Sequence, residues 1–110
     1  SAAMAWLLDG DDDAMDGAII NMAANVTGII CDGGKVGCAL KLATSASAAL
    51  MSAQLALKGI VVAATDGIAA AGAEEAIRAM GRVASPGMIE TDRVILDIMM
   101  DKERTAGVGS

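Results

Sequence analysis

The sequence predicts an all-α protein, and three observations carry that prediction. The chain has 110 residues, which amounts to one domain at most, and 55% of them are hydrophobic. These apolar residues recur at the i, i+3 and i+4 spacing of helices, whereas the one strand-like run, residues 60–62, is too isolated to form a sheet. Trp6 is the only aromatic residue, so small aliphatic side chains and methionine must fill the core. We therefore expect a helical bundle around a buried central helix at about residues 39–58.

An acidic segment separates the first two predicted helices. Residues 1–8 are typical of the end of a helix, and we expect further chain upstream of Ser1. Residues 11–13 are three aspartates, which indicate a helix start because one can cap free N–H groups and the others favour the positive end of the helix dipole. The helix that follows carries Asn21 and Asn25. We interpret these amides as solvated or satisfied within the core, with a polar lining near the next loop as the alternative.

The second long helix is predicted at about residues 39–58, with Gly59 as its C-cap. It has no charge between Lys41 and Lys58, and a helix that is apolar on all sides is normally buried. The longest uncharged runs, residues 17–31 and 42–57, fall short of the roughly 20 residues that a membrane span needs. We therefore expect a buried helix and no membrane span.

The rest of the chain is predicted to contain two further helices. Residues 59–72 form an irregular connection, and residues 73–83 form an amphipathic helix with Glu74 and Arg78 at pairing distance on its outer face. Residues 85–87, Ser-Pro-Gly, break the chain before a last helix that ends near residue 102. Residues 103–110 are then expected to be a flexible tail.

Charge and composition exclude some functions. The net charge is −6, no basic stripe is present, and the chain lacks the aromatic residues on which bases stack, so we expect no nucleic-acid partner. Two cysteines in a methionine-rich chain fit a reducing compartment, and we expect a cytoplasmic location.

The chemistry is concentrated in residues 31–38, which begin and end with the two cysteines, Cys31 and Cys38. The residues between them are Asp32, Gly33, Gly34, Lys35, Val36 and Gly37. Structural zinc needs four cysteine or histidine ligands, and the chain has no histidine. Three interpretations stay open: a disulfide, two unrelated thiols, or an iron–sulfur cluster whose backbone cradle the glycines would form. Two cysteines are too few for such a cluster, so at least one ligand would come from elsewhere.

Lys35 and Lys41 are the candidate substrate-binding residues. Lys35 either forms a solvated charge pair with Asp32 inside the loop or binds a substrate carboxylate. Lys41 lies one turn into the apolar helix, where it either extends its amine to the surface or lines a pocket.

Residues 25–45, which include Cys-Asp-Gly-Gly-Lys-Val-Gly-Cys-Ala-Leu-Lys at positions 31–41, resemble the C-terminal signature of the serine dehydratase alpha-chain-like family. Residues 65–68 and 90–99 resemble the same family in the same order. The resemblance is greatest to its cysteine desulfidase branch, because the corresponding cysteines of the true serine dehydratases look more widely spaced.

This resemblance implies that residues 1–110 are the C-terminal part of a larger all-α catalytic domain with a [4Fe–4S] cluster on three cysteines. Cys31 and Cys38 match two of them, and the third would precede residue 1. Asp32, Gly33, Gly34 and Gly37 match the cluster loop. The implied enzyme is a lyase that eliminates across the Cα–Cβ bond of L-cysteine or L-serine, giving pyruvate, ammonia and sulfide or water. The catalytic base is not a histidine of this chain, which has none, and its identity stays unassigned.

The implied partners are a small amino-acid substrate and the missing N-terminal part of the same protein. The fragment alone is expected to be inactive and, because it exposes apolar surface, to form a homo-oligomer. Two other functions compete with the lyase. One is a non-enzymatic helical interaction domain with unliganded cysteines, and the other is a thiol redox switch formed by Cys31 and Cys38.

Overall fold

The computed structural model describes residues 1–32 and 35–108, and these residues form helices and irregular connections without a β-strand. The helices in this part of the chain are α1 (Ala2–Leu7), α2 (Asp12–Val26), α3 (Val36–Leu57), α4 (Ala73–Ala84) and α5 (Ile89–Val108). The predicted all-α fold class is confirmed. Residues 60–62 belong to the irregular connection between α3 and α4, as expected.

Capping interactions determine the start of α2 and the end of α3. The side chain of Asp11 accepts a hydrogen bond from the backbone N–H of Ala14 at 2.8 Å, so Asp11 is the one of the three aspartates that caps the helix. After α3, Gly59 has φ of +74°, and the N–H groups of Gly59 and Ile60 donate to carbonyls of the last helical turn, each at 2.9 Å. This pair of bonds is a Schellman motif, which ends a helix at a glycine.

At the centre of the described chain lies α2, which packs against α1, α3 and α4. Ala18 of α2 and Ala53 of α3 are completely buried, and small side chains at these positions let the two helices approach closely. The core consists of two clusters. The first contains Ala5, Ala18, Ala53 and Ala56, and the second contains Ile20, Ala23, Ala69 and Ala76.

Only the second half of α3 is covered. Its buried residues are Ala48, Ala49, Ser52, Ala53 and Ala56. In the first half, Leu40 and Leu42 are 69% and 72% exposed. Within residues 1–32 and 35–108, α3 is therefore not buried on all sides, because no described element lies over its first half.

The length and composition of α3 would also allow it to cross a membrane. The helix is longer than the uncharged run of residues 42–57 because it begins at Val36. A core helix of a larger soluble protein meets the same criteria. The absence of a membrane span therefore stays a prediction.

The amphipathic helix predicted at residues 73–83 is confirmed as α4. Ala76 packs beside Ile20 and Ala23 of α2, and Arg78 forms the predicted ion pair with Glu74 at 2.8 Å on the outer face. This face contributes little to stability because both partners are exposed.

The last helix, α5, is longer than predicted. It runs through Val108, so residues 103–108 are helical, and the flexibility expected of them stays a prediction. The Thr105 hydroxyl donates to the carbonyl of Asp101 at 2.9 Å within this extension. Residues 109–110 of the predicted tail lie outside the described residues. In the described chain α5 forms no extensive interface with α1 to α4.

Candidate functional site

The candidate site lies where the chain passes from α2 to α3. After α2 ends at Val26, Gly28 has φ of +100°, a conformation that glycine adopts without strain. The chain then runs through Ile29 and Ile30 to Cys31, all of them exposed. The turn at Gly28 therefore directs the first cysteine away from the core of the described chain.

The two cysteines occupy different environments. Cys31 is exposed in the connection, whereas Cys38 is half-buried in the first turn of α3. The backbone N–H of Cys38 donates to the carbonyl of Lys35, the N-cap residue, at 3.0 Å. No disulfide joins the two cysteines. The site thus presents two thiols around a helix start, whose dipole favours negative charge.

The glycines of the predicted cluster loop separate into two groups. Gly33 and Gly34 lie outside the described residues. Gly37 belongs to the first turn of α3, where a side chain would meet no atom within 4 Å. The helix begins at Val36 rather than near residue 39, so Gly37 is a helical residue and not a loop residue.

Asp32 pairs with Lys41, not with Lys35 as the local sequence suggested. The Lys41 ammonium donates to Asp32 Oδ1 and so joins the connection to the second turn of α3. This hydrogen bond and the positive charge of Lys41 lower the pKa of the Asp32 carboxyl. The hydrogen bond to Asp32 in turn raises the pKa of Lys41, and the negative charges of Cys38 and Cys31 in their thiolate forms raise it further. Lys41 is thus a partly exposed cation held by a carboxylate.

Lys35 is exposed at the N-cap of α3, and no ion pair with Lys35 is formed among the described residues. Lys35 directly precedes the first residue of α3 and lies between the two cysteines in the sequence. This position is compatible with the predicted role of Lys35 in binding a substrate carboxylate, and that role stays a prediction.

Asn21 connects the elements that support the site, a role that the sequence only partly suggested. Its amide nitrogen donates to the carbonyl of Ser52 at 3.3 Å and to that of Ile60 at 2.9 Å, and its amide oxygen accepts from the N–H of Val62 at 2.8 Å. Asn21 is buried, whereas Asn25 is exposed, so one amide is satisfied in the core and the other is solvated. The sequence signal for this role is Gly17, one turn before Asn21, because a glycine inside a helix marks a face on which other chain packs closely.

The described residues supply only some of the ligands that a metal site needs. The described residues contain no group of three or more cysteine, aspartate and glutamate side chains that could hold a metal ion. Cys31 and Cys38 are soft thiol ligands of the kind that iron–sulfur clusters use, and the cation of Lys41 beside them would offset the negative charge of such a cluster. The residues present therefore fit two ligand positions of a cluster and leave the others to further chain.

Together, the fold and the site define a class: an all-α chain with one thiol in the connection before an apolar helix, a second thiol in the first turn of that helix and a lysine in its second turn. Residues 1–97 match the family of the serine dehydratase alpha chain. Since the match covers most of the sequence, the chain belongs to the serine dehydratase alpha chain family.

Similar curated proteins match nearly all of this chain but are much longer than it is. The chain is 51% identical over 102 residues to a UPF0597 protein of Desulforapulum autotrophicum, covering 93% of this chain and 23% of that protein. It is 50% identical over 103 residues to a UPF0597 protein of Alkaliphilus oremlandii, covering 94% of this chain and 24% of that protein. The chain thus spans about a quarter of the length of these relatives. No solved structure matches it.

Proposed function

We propose that these residues are the C-terminal part of an iron–sulfur-dependent lyase that acts on L-cysteine or L-serine. The observation that carries the proposal is the placement of Cys31 and Cys38 around the start of α3, within a chain of the serine dehydratase alpha chain family. The relatives are about four times as long as this chain. This length supports a site whose remaining ligands come from other parts of the full-length protein. A third cysteine ligand is expected among those residues.

Cys31 and Cys38 would hold two irons of a [4Fe–4S] cluster. A cluster bound there would supply a Lewis-acidic iron for the leaving thiolate or hydroxyl group of the substrate. Lys35 would bind the substrate carboxylate, because it is an exposed cation that lies between the two cysteines in the sequence. A base would remove the α-proton, and it is not a histidine of this chain, which has none. Loss of the leaving group then gives an enamine, whose tautomer hydrolyses to pyruvate and ammonia.

The surroundings of the site support a partner within the same protein. Val36 and Leu40, which flank Cys38, are 80% and 69% exposed, and apolar surface of this kind normally contacts other protein. We propose that the additional chain of the full-length protein covers this surface. We also propose a cytoplasmic location, since both thiols must stay reduced to bind iron.

The test is anaerobic reconstitution of a protein of the relatives' length that ends in these residues. After addition of iron and sulfide, the protein should be brown and should release pyruvate from L-cysteine or L-serine. Cys31→Ser and Cys38→Ser should each lose the colour and the activity, whereas Lys58→Met, at the far end of α3, should keep both. A reconstituted protein that stays colourless would refute the proposal.

The same experiment separates the competing functions. For an interaction domain with unliganded cysteines, both serine variants would behave like the unaltered protein. For a redox switch, mild oxidant would remove two hydrogen atoms from the peptide that contains Cys31 and Cys38, and iron would not bind.

A further inference from the structure

The ion pair between Asp32 and Lys41 differs from the other ion pairs in the described residues. The others join Glu74 to Arg78, Glu90 to Arg93 and Asp101 to Arg104, each within a single helix and three or four residues apart. Asp32 and Lys41 are nine residues apart and join the connection after α2 to the body of α3. An ion pair within one helix supports that helix locally, whereas the pair of Asp32 and Lys41 constrains the path of the chain between two elements.

This constraint acts on the two cysteines. Asp32 directly follows Cys31, so wherever the Asp32 carboxylate is held, Cys31 is held nearby. Lys41 follows Cys38 by three residues in α3, and side chains at that spacing lie on the same side of a helix. The ion pair therefore draws Cys31 towards the side of α3 that carries Cys38.

The electrostatics of Lys41 agree with this arrangement. The pKa of Lys41 is raised mainly by its hydrogen bond to Asp32, and Cys38 and Cys31 in their thiolate forms add smaller contributions of the same sign. The position of the pair and its charges thus point to the same arrangement.

We propose that Asp32 and Lys41 are positioning residues that hold Cys31 beside Cys38, so that both sulfurs can bind one thiol-seeking centre. This inference concerns the same loop as the proposed lyase but does not depend on the identity of the centre. It also gives the two lysines different roles. Lys41 holds the connection in place, and Lys35 remains the candidate to bind a substrate carboxylate.

A trivalent arsenical tests this role without iron. Phenylarsine oxide condenses with two neighbouring thiols to form two As–S bonds and one water molecule, so its affinity for the reduced chain reports how often the two sulfurs are close together. Affinity is measured by titrating the thiols that remain after equilibration. Far-UV circular dichroism of each variant confirms that its helices are retained.

Four variants and one control make the test specific. Lys41→Met and Asp32→Asn should each weaken arsenical binding about twofold to fivefold, the effect of losing one exposed ion pair. The double variant should be no weaker than either single variant, because the two side chains act as a unit. The exchanged pair, Asp32→Lys with Lys41→Asp, should restore binding to within about twofold of the unaltered chain. Lys58→Met, which removes an exposed lysine at the other end of α3, should change nothing.

The exchanged pair decides between positioning and ligand binding. If Lys41 instead acted on a bound anion, reversal of its charge would leave binding as weak as in the single variants or weaker. That result, or single variants that bind like the unaltered chain, would overturn the inference. Restored arsenical binding combined with a full-length protein that takes up no iron would refute the proposed lyase and leave the positioning role intact.

Discussion

Replacement of Asn21 by alanine should be among the most damaging single changes to this helical core. The substitution removes three hydrogen bonds, two that Asn21 donates and one that it accepts. The carbonyl of Ile60 and the N–H of Val62 lose this partner, whereas the carbonyl of Ser52 keeps its bond within α3. A buried polar group that loses its partner costs about 1–3 kcal/mol. Since Ile60 and Val62 are partly accessible to water, we expect Asn21→Ala to lower the free energy of unfolding by about 2–3 kcal/mol.

Urea unfolding followed by far-UV circular dichroism measures this loss. The midpoint should fall with little change in the slope of the transition, because the surface exposed on unfolding is nearly the same. Runs at several protein concentrations separate the effect from any contribution of self-association. A loss of about 2–3 kcal/mol is a large part of the roughly 5–15 kcal/mol that stabilises a typical domain.

Asn25 provides the matched control, since it is an exposed asparagine one turn further along α2. Asn25→Ala should change the free energy of unfolding by no more than about 0.5 kcal/mol. Asn21→Asp should also be destabilising at neutral pH, because the carboxylate can still accept from Val62 but would face the carbonyls of Ser52 and Ile60. If Asn21→Ala were as harmless as Asn25→Ala, the argument that Asn21 ties α2 to α3 would be wrong.

Three further predictions address the caps, the packing and the exposed surface. Asp11→Ala removes the N-cap of α2 and should cost about 1 kcal/mol in the same urea assay; an unchanged midpoint would contradict the cap. Gly17→Ala should destabilise, because its Cβ would lie 2.7 Å from a methyl group of Val61, whereas the open position of Gly81 in α4 should make Gly81→Ala stabilising by about 0.4–1 kcal/mol; two changes of the same sign would refute the packing argument. The 110-residue chain should form a dimer or larger oligomer in light scattering, and Leu42→Lys should weaken that association; a monomeric unaltered chain would contradict it.

Helix ends with a local chemical signal could be predicted from the sequence. The aspartate before α2 and the glycine after α3 act on backbone groups within a few residues, so Asp11 and Gly59 identify these ends correctly. The start of α3 carries no such signal. Its first turn contains Val36 and Gly37, which have low helix propensity. The sequence therefore predicts a later start, near residue 39, than the structure shows.

The end of α5 was missed for a different reason. The apolar repeat of the last helix stops near Met100, and the prediction stopped with it. The helix continues because polar side chains support it: Thr105 bonds back to Asp101, and Arg104 pairs with Asp101 at 3.5 Å. Apolar periodicity detects helices that pack against a core, and it gives no information about an exposed, polar extension.

The predicted site is a mixture of local and non-local features. The position of Cys38 at the start of α3 follows from the sequence, because the apolar helix must begin close to it. The pairing of Asp32 with Lys41 does not, since it depends on the direction in which the chain leaves Gly28 and returns to Val36. Lys35 is nearer to Asp32 in sequence, but sequence distance does not determine which charges meet when a turn lies between them.

The distribution of apolar residues gives the strongest reason to expect more protein around the site. The buried core of the described chain consists almost entirely of alanine, with Ile20 as its one large side chain, while Val36, Leu40 and Leu42 are 69% exposed or more. Burial of each such side chain is worth about 1.5–3 kcal/mol, so a surface that covered them would add considerable stability. These residues lie in the same turns of α3 as Cys38 and Lys41. A segment that covers them therefore also reaches the two cysteines, which is where the proposed cluster requires its third ligand.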